Sequence, residues 1–157
     1  MSRLVNYTYH EIKIGQTATY TKAVTEQDIQ LFSIVSGDVN PVHLDEEYAA
    51  TTMFKGRIAH GMLTGAFISA ALALELPGPG TIYLGQSLRF KLPVKIDDEI
   101  TVTLEVIKKR DDRKFVTLSC VAVNQKGKVV VSGSAEVMAP EEKIDISRPA
   151  MPSVTIG

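Results

Sequence analysis

The run from Met62 to Leu76 does most to limit what this chain can become. Ala, Leu, Ile, Phe and Met recur on every side of it, so the spacing predicts a helix with no face suited to water. Thr64, Ser69 and Glu75 interrupt the run, and it is too short to cross a bilayer. Its cover must therefore come from protein. Pro77-Gly-Pro-Gly80 ends it firmly.

After Gly80 the period changes from helical to alternating. Ile82 to Leu92 reads as a strand closed by Pro93. Ile100, Val102, Leu104 and Val106 share one face, with Thr101, Thr103 and Glu105 on the other. Lys114 to Val123 and Val129 to Val137 alternate in the same way. The links Lys108 to Arg113 and Asn124 to Lys128 are of hairpin length, which predicts antiparallel neighbours. An early strand around Thr17 to Val24 is a candidate for the same sheet. The fold class is thus α+β, a long central helix wrapped by a curved antiparallel β-sheet. A sheet curled round one helix leaves an open edge, which a second copy would seal, so a homodimer is expected.

Ahead of the long helix, Thr25 and Asp28 form a capping box for a helix that stops at Gly37. A short helix is predicted from Asp45 to Thr51. Residues 1–140 are read as one domain and 141–157 as a Pro-containing extended tail, lying over the surface or partly disordered.

Bulk properties narrow the function classes. The 157 residues are 45% hydrophobic and carry a net charge of −1, which supports one globular core and no strong field for nucleic acid or anionic lipid. The first residues lack the apolar run of a secretory signal, so a cytoplasmic protein is expected. The single cysteine, Cys120, falls in an alternating segment and reads as a buried, inert thiol. Three histidines, at 10, 43 and 60, are too scattered in sequence to suggest a metal site.

Chemistry concentrates in Ser36-Gly-Asp-Val-Asn-Pro-Val-His43. Pro41 fixes its own φ and biases Asn40 towards extended backbone, which predicts a stiff loop rather than a helix. It holds the Asp38 carboxylate near the His43 imidazole, the equipment for moving protons to and from one water. An isolated Asp and His at this spacing more often make a turn cap and an ordinary loop histidine. The rigid backbone between them favours the chemical reading. Gly61, where the buried helix begins, has two open readings. Its N–H, with the helix dipole behind it, is a donor for developing negative charge, or the glycine merely allows tight entry into the core. His60 is read as structural, and Thr64 as bonding back to a carbonyl one turn earlier. Ser69, about two turns past Gly61, is a weak candidate for the same pocket. Arg89, Lys91 and Lys95 read as a solvated face.

Taken together, Phe32-x-x-x-Ser36-Gly-Asp-x-Asn-Pro-Val-His43-x-x-x-x-x-Ala49 resembles the signature of the MaoC-like, hydratase-2 group of (R)-specific enoyl-CoA hydratases. The likeness continues through Ala59-His-Gly-Met62, Gly78 to Gln86 and Phe90 to Val94. It spans roughly residues 10–140, close to the short members that supply (R)-3-hydroxyacyl-CoA for polyhydroxyalkanoate synthesis. The resemblance implies a hot-dog fold, a homodimer and an acyl-CoA thioester substrate, with coenzyme A as part of the substrate and no separate cofactor or metal. By motif position it implies Asp38 and His43 as the catalytic pair, with Asn40 supporting their geometry. Gly61 would be the N–H donor to the thioester oxygen, and Ser69 would lie near the catalytic water. Phe67, Ile68 and Leu72 are candidates for the acyl pocket. Two other readings stand beside it: a hot-dog acyl-CoA thioesterase, which would want an acid on the helix where only Glu75 is present, and a non-catalytic acyl-CoA-binding module. An acyl-carrier dehydratase would be expected to carry a Pro-rich, His-containing motif that is not found.

Overall fold

The computed structural model describes residues 2–157. In chain order the elements are β1 (Arg3–Val5), β2 (Thr17–Ala23), α1 (Glu26–Ser36), α2 (Pro41–Leu44), α3 (Glu46–Ala50), α4 (Gly61–Leu74), β3 (Ile82–Phe90), β4 (Glu99–Arg110), β5 (Phe115–Val123), β6 (Val129–Met138) and β7 (Asp145–Ser147). Five strands form one antiparallel sheet in the order β2-β4-β5-β6-β3.

The alternation in β4 and β5 decides which face of the sheet meets α4. Ile100, Val102, Leu104 and Val106 are fully buried, as are Val116, Leu118, Cys120 and Ala122. They join Leu63, Phe67, Ile68, Ala71 and Leu72 of α4 in a single core. Burial pushes the Cys120 thiol up to about 11, which keeps it protonated and inert, as its position in the alternating segment suggested.

Gly133 of β6 sits where β3 crosses closely, and a Cβ there would lie 1.8 Å from the Ser87 carbonyl oxygen. No side-chain rotation relieves a clash with backbone. Gly133→Ala should therefore destabilise the fold by about 3 kcal/mol, read as a lowered midpoint in urea unfolding.

Two features differ from the expectations. First, the long helix is not covered on every side within one chain: Met62, Ala66 and Ala73 are exposed along one stripe, with Ser69 half-buried between them. Second, Pro41 does not prevent a helix but starts one. Proline suits the first helical position, where its missing N–H has no partner to lose, and Asn40 caps the turn by accepting from the Val42 N–H at 3.2 Å. The tail from residue 141 is extended over the surface and supplies β7, which pairs with β1 through Leu4 and Ile146. Asn6 fixes this clasp: buried, it donates to the carbonyls of Pro79 and Glu142 and accepts from the Ile144 N–H. Three-residue strands carry too little periodicity to be seen in sequence.

Candidate active site

The loop from Gly37 to Asn40 is held by short-range bonds that its own sequence supplies. Gly37 takes φ 81°, a left-handed turn open to glycine, and its N–H closes α1 on the Ser33 carbonyl. The Ser36 hydroxyl donates to the Phe32 carbonyl and accepts from the Asp38 N–H at 3.1 Å. Asp38 Oδ1 accepts from the Asn40 N–H at 3.0 Å. That leaves Oδ2 directed at His43, 3.8 Å from its Nε2. Arg57 ties the surrounding helices together by pairing with Glu26 of α1 and Glu46 of α3, each at 3.0 Å.

The His43 tautomer follows from its other nitrogen. Nδ1 is 2.8 Å from the Ile58 carbonyl oxygen, which can only accept, so Nδ1 carries the hydrogen and, in the neutral ring, Nε2 holds the lone pair. Oδ2 and Nε2 are then two acceptors facing each other, too far apart for a direct bond. A molecule that donates two hydrogens at once fits between them, and water is the smallest one that does.

This pair opens into a cavity of about 760 Å³ whose lining also includes Phe32, Thr64, Phe90, Lys91 and Leu92. Gly61, the first residue of α4, lies on the same wall, so the helix N-terminus and the acid/base pair share one space. The close-approach reading of Gly61 has a counterpart in the packing: a Cβ there would come within 2.8 Å of the Phe90 ring.

Of the residues singled out in sequence, Asp38, His43 and Gly61 come together, and Asn40 supports them from the α2 cap. Ser69 lies instead in a smaller neighbouring cavity of about 360 Å³, with Tyr83, Gln86 and Leu88. Phe67, Ile68 and Leu72 belong to the closed core and line neither cavity. Thr64 lines the main cavity, and Lys91 is the one of the three basic residues that reaches it. Burial pushes the Tyr83 hydroxyl up to about 12, so it stays protonated beside Gln86.

His60, read from the sequence as structural, is paired with its neighbours. It is buried, stacks on His43 with ring centroids 3.7 Å apart and planes 23° from parallel, and bonds through Nε2 to Ser33 Oγ and the Asp38 carbonyl. The signal was its place: a histidine directly before a largely apolar helix is carried into the interior and must find partners there. Asp38, His43 and His60 bring nitrogen and oxygen donors within 4.8 Å, a grouping that spacing along the chain had argued against. Face-to-face imidazoles do not point both lone pairs at one ion, because each lone pair lies in its own ring plane.

A central helix in a curled antiparallel sheet defines a hot-dog protein, here with an Asp/His pair beside the helix start. A family model described as "MaoC like domain" matches residues 10–129, and the chain belongs to that family. An (R)-specific enoyl-CoA hydratase of Rhodospirillum rubrum is 50% identical over 139 residues, covering 87% of this chain and 94% of that protein. The solved structure of R-hydratase PhaJ1 from Pseudomonas aeruginosa, in the unliganded form, superposes with a TM-score of 0.95 at 56% identity, covering 99% of this chain and 100% of that one. A mitochondrial 3-hydroxyacyl-[acyl-carrier-protein] dehydratase of Arabidopsis thaliana is 34% identical, covering 82% of this chain and 78% of that protein. Among the described residues no helix is long and apolar enough to cross a membrane.

Proposed function

We propose that this chain catalyses the reversible syn hydration of trans-2-enoyl-CoA to (R)-3-hydroxyacyl-CoA. The observation that carries the reading is the pair of acceptors, Asp38 Oδ2 and His43 Nε2, 3.8 Å apart at the wall of a cavity that also holds the start of α4. A water donating to both has its oxygen lone pairs free to attack C3 of a bound enoyl thioester. One member of the pair takes the proton released as the C–O bond forms, and the pair returns a proton to C2 on the same face. Negative charge moves meanwhile onto the thioester oxygen, where the Gly61 N–H and the helix dipole favour it. The chemistry needs no cofactor beyond the coenzyme A that the substrate brings. The relatives named (R)-specific hydratases support the stereochemical assignment.

The test is to mix the purified protein with crotonyl-CoA. Loss of enoyl absorbance without free thiol, giving (R)-3-hydroxybutyryl-CoA on chiral analysis, is the expected result. Release of free thiol would mean a thioesterase, and no change would leave only a binding module. The thioesterase reading is the weaker one, since Glu75, the only acid on or next to α4, lies at its C-terminal end and is not in the cavity lining. An acyl-carrier thioester in a parallel assay would show which carrier is preferred.

The working form in this reading is a homodimer in the cytoplasm. β3 is an edge strand with Ile82, Tyr83 and Leu84 exposed, and it lies near the exposed Met62 stripe of α4. Pairing β3 of two copies would satisfy the edge and cover that stripe together. Light scattering should then give twice the mass of one chain, and a monomer would sink the assignment.

A further inference from the structure

We propose that His60 is a positioning residue for the acid/base pair: its Nε2–H tethers the backbone of Asp38, and its ring face holds the imidazole of His43 and accommodates the charge that ring gains on taking a proton. This rests on the hydratase reading above and assigns a role to a residue that the chemistry leaves unused.

The tautomer is fixed by its surroundings. His60 Nε2 lies 3.2 Å from the Asp38 carbonyl oxygen, which only accepts, so Nε2 must carry the hydrogen. Ser33 Oγ, 3.1 Å away, lies beside the same nitrogen from α1. The lone pair then falls on Nδ1, which is buried and has no partner among the described residues. Protonating Nδ1 would create a charged N–H with nothing to receive it. Burial accordingly pushes the basicity of His60 down, and the nearby His43 adds to that, although the bond to the Asp38 carbonyl opposes it. The ionisable groups facing His60 are Asp38 from the loop and His43 from α2.

A neutral His60 suits a partner that becomes charged. The two rings are 3.7 Å apart, so two imidazolium ions there would repel strongly, whereas a cation against a neutral aromatic face is attracted. The Ile58 carbonyl holds His43 by one ring nitrogen, and that single bond leaves the ring free to tilt about it. The His60 face removes that freedom, while Phe32 backs His60 at 4.9 Å. His60 thus fixes one catalytic residue by its edge and the other by its face.

The first measurement uses the unmodified protein. Long-range proton–nitrogen NMR of the imidazoles near neutral pH should show His60 neutral with hydrogen on Nε2, and His43 with hydrogen on Nδ1. A charged His60, or hydrogen on its Nδ1, overturns the proposal whatever happens to the variants. The second measurement separates edge from face. His60→Gln keeps a donor near the Nε2 position and loses the ring; His60→Phe keeps the ring and loses the donor. Each should lower kcat with crotonyl-CoA about 10- to 100-fold and leave KM within about threefold, since the pair is misplaced while the cavity is intact. Wild-type kcat in either variant removes that half of the role, and raised KM with unchanged kcat removes both. If neither variant folds, the tautomers alone decide. A wild-type protein inert to every enoyl thioester would instead strike the hydratase reading and leave the tautomer result standing.

Discussion

Asp38→Asn should fold as the native protein does and lose about 10³-fold in kcat for hydration. The fold is expected to survive because the residue's structural bond is made by Oδ1, which an asparagine oxygen reproduces towards the Asn40 N–H. The other arm changes sign. An amide NH₂ in place of Oδ2 becomes a donor facing the His43 Nε2 lone pair. At that position it offers a donor where the water's hydrogen needs an acceptor. The substitution thus removes one of the two acceptors that hold the water. His43→Gln should be comparably inactive, since it removes the lone pair on the other side. Steady-state hydration of crotonyl-CoA, with circular dichroism as the control for folding, checks both. Turnover within tenfold of wild type in either variant would sink the assignment of the pair.

The second large effect is expected at Gly61. Removing one oxyanion donor is commonly worth about 3–4 kcal/mol, some 10²–10³-fold in kcat. Gly61→Pro deletes the N–H without stopping the helix, because proline is well suited to the first helical position. The preceding residue already has the extended backbone that proline requires, with His60 at φ −61° and ψ 137°. Both Gly61→Pro and Gly61→Ala place a Cβ within 2.8 Å of the Phe90 ring, so the alanine variant carries the same crowding and keeps the donor. The ratio of their kcat values isolates the N–H. A ratio near one would mean that Gly61 serves only to make room, the other reading its sequence left open.

Much of this site was legible in the chain because its parts are local. Asp38, Asn40, Pro41 and His43 lie within one short segment, and their bonds run mostly to each other's backbone. The start of α4 was equally legible, since the shift from polar loop to a largely apolar run begins near Gly61. What escaped were particular contacts between segments distant in the chain. Pro41 was read as a helix breaker because proline's φ restriction was weighed without its place at a first helical position. Ser69 was placed by helical rise towards Gly61, but the angle round α4 turns it to the neighbouring cavity with Tyr83 and Gln86. Phe67, Ile68 and Leu72 were apolar in the right region, yet apolarity alone cannot tell a pocket wall from a core.

By itself the sequence determined the helix that needs cover, the strands whose alternation supplies it, and the stiff segment presenting one carboxylate and one imidazole. Those follow from period, from proline and glycine, and from capping, all of which act over a few residues. Only the tertiary structure decided that His60 stacks on His43, that its Nδ1 is buried without a partner among the described residues, and that β7 returns to clasp β1. The physical reason is range. A stack of two rings from separate segments depends on how the intervening chain is pinned, here by Arg57 bridging Glu26 and Glu46, and no spacing along the sequence encodes that closure.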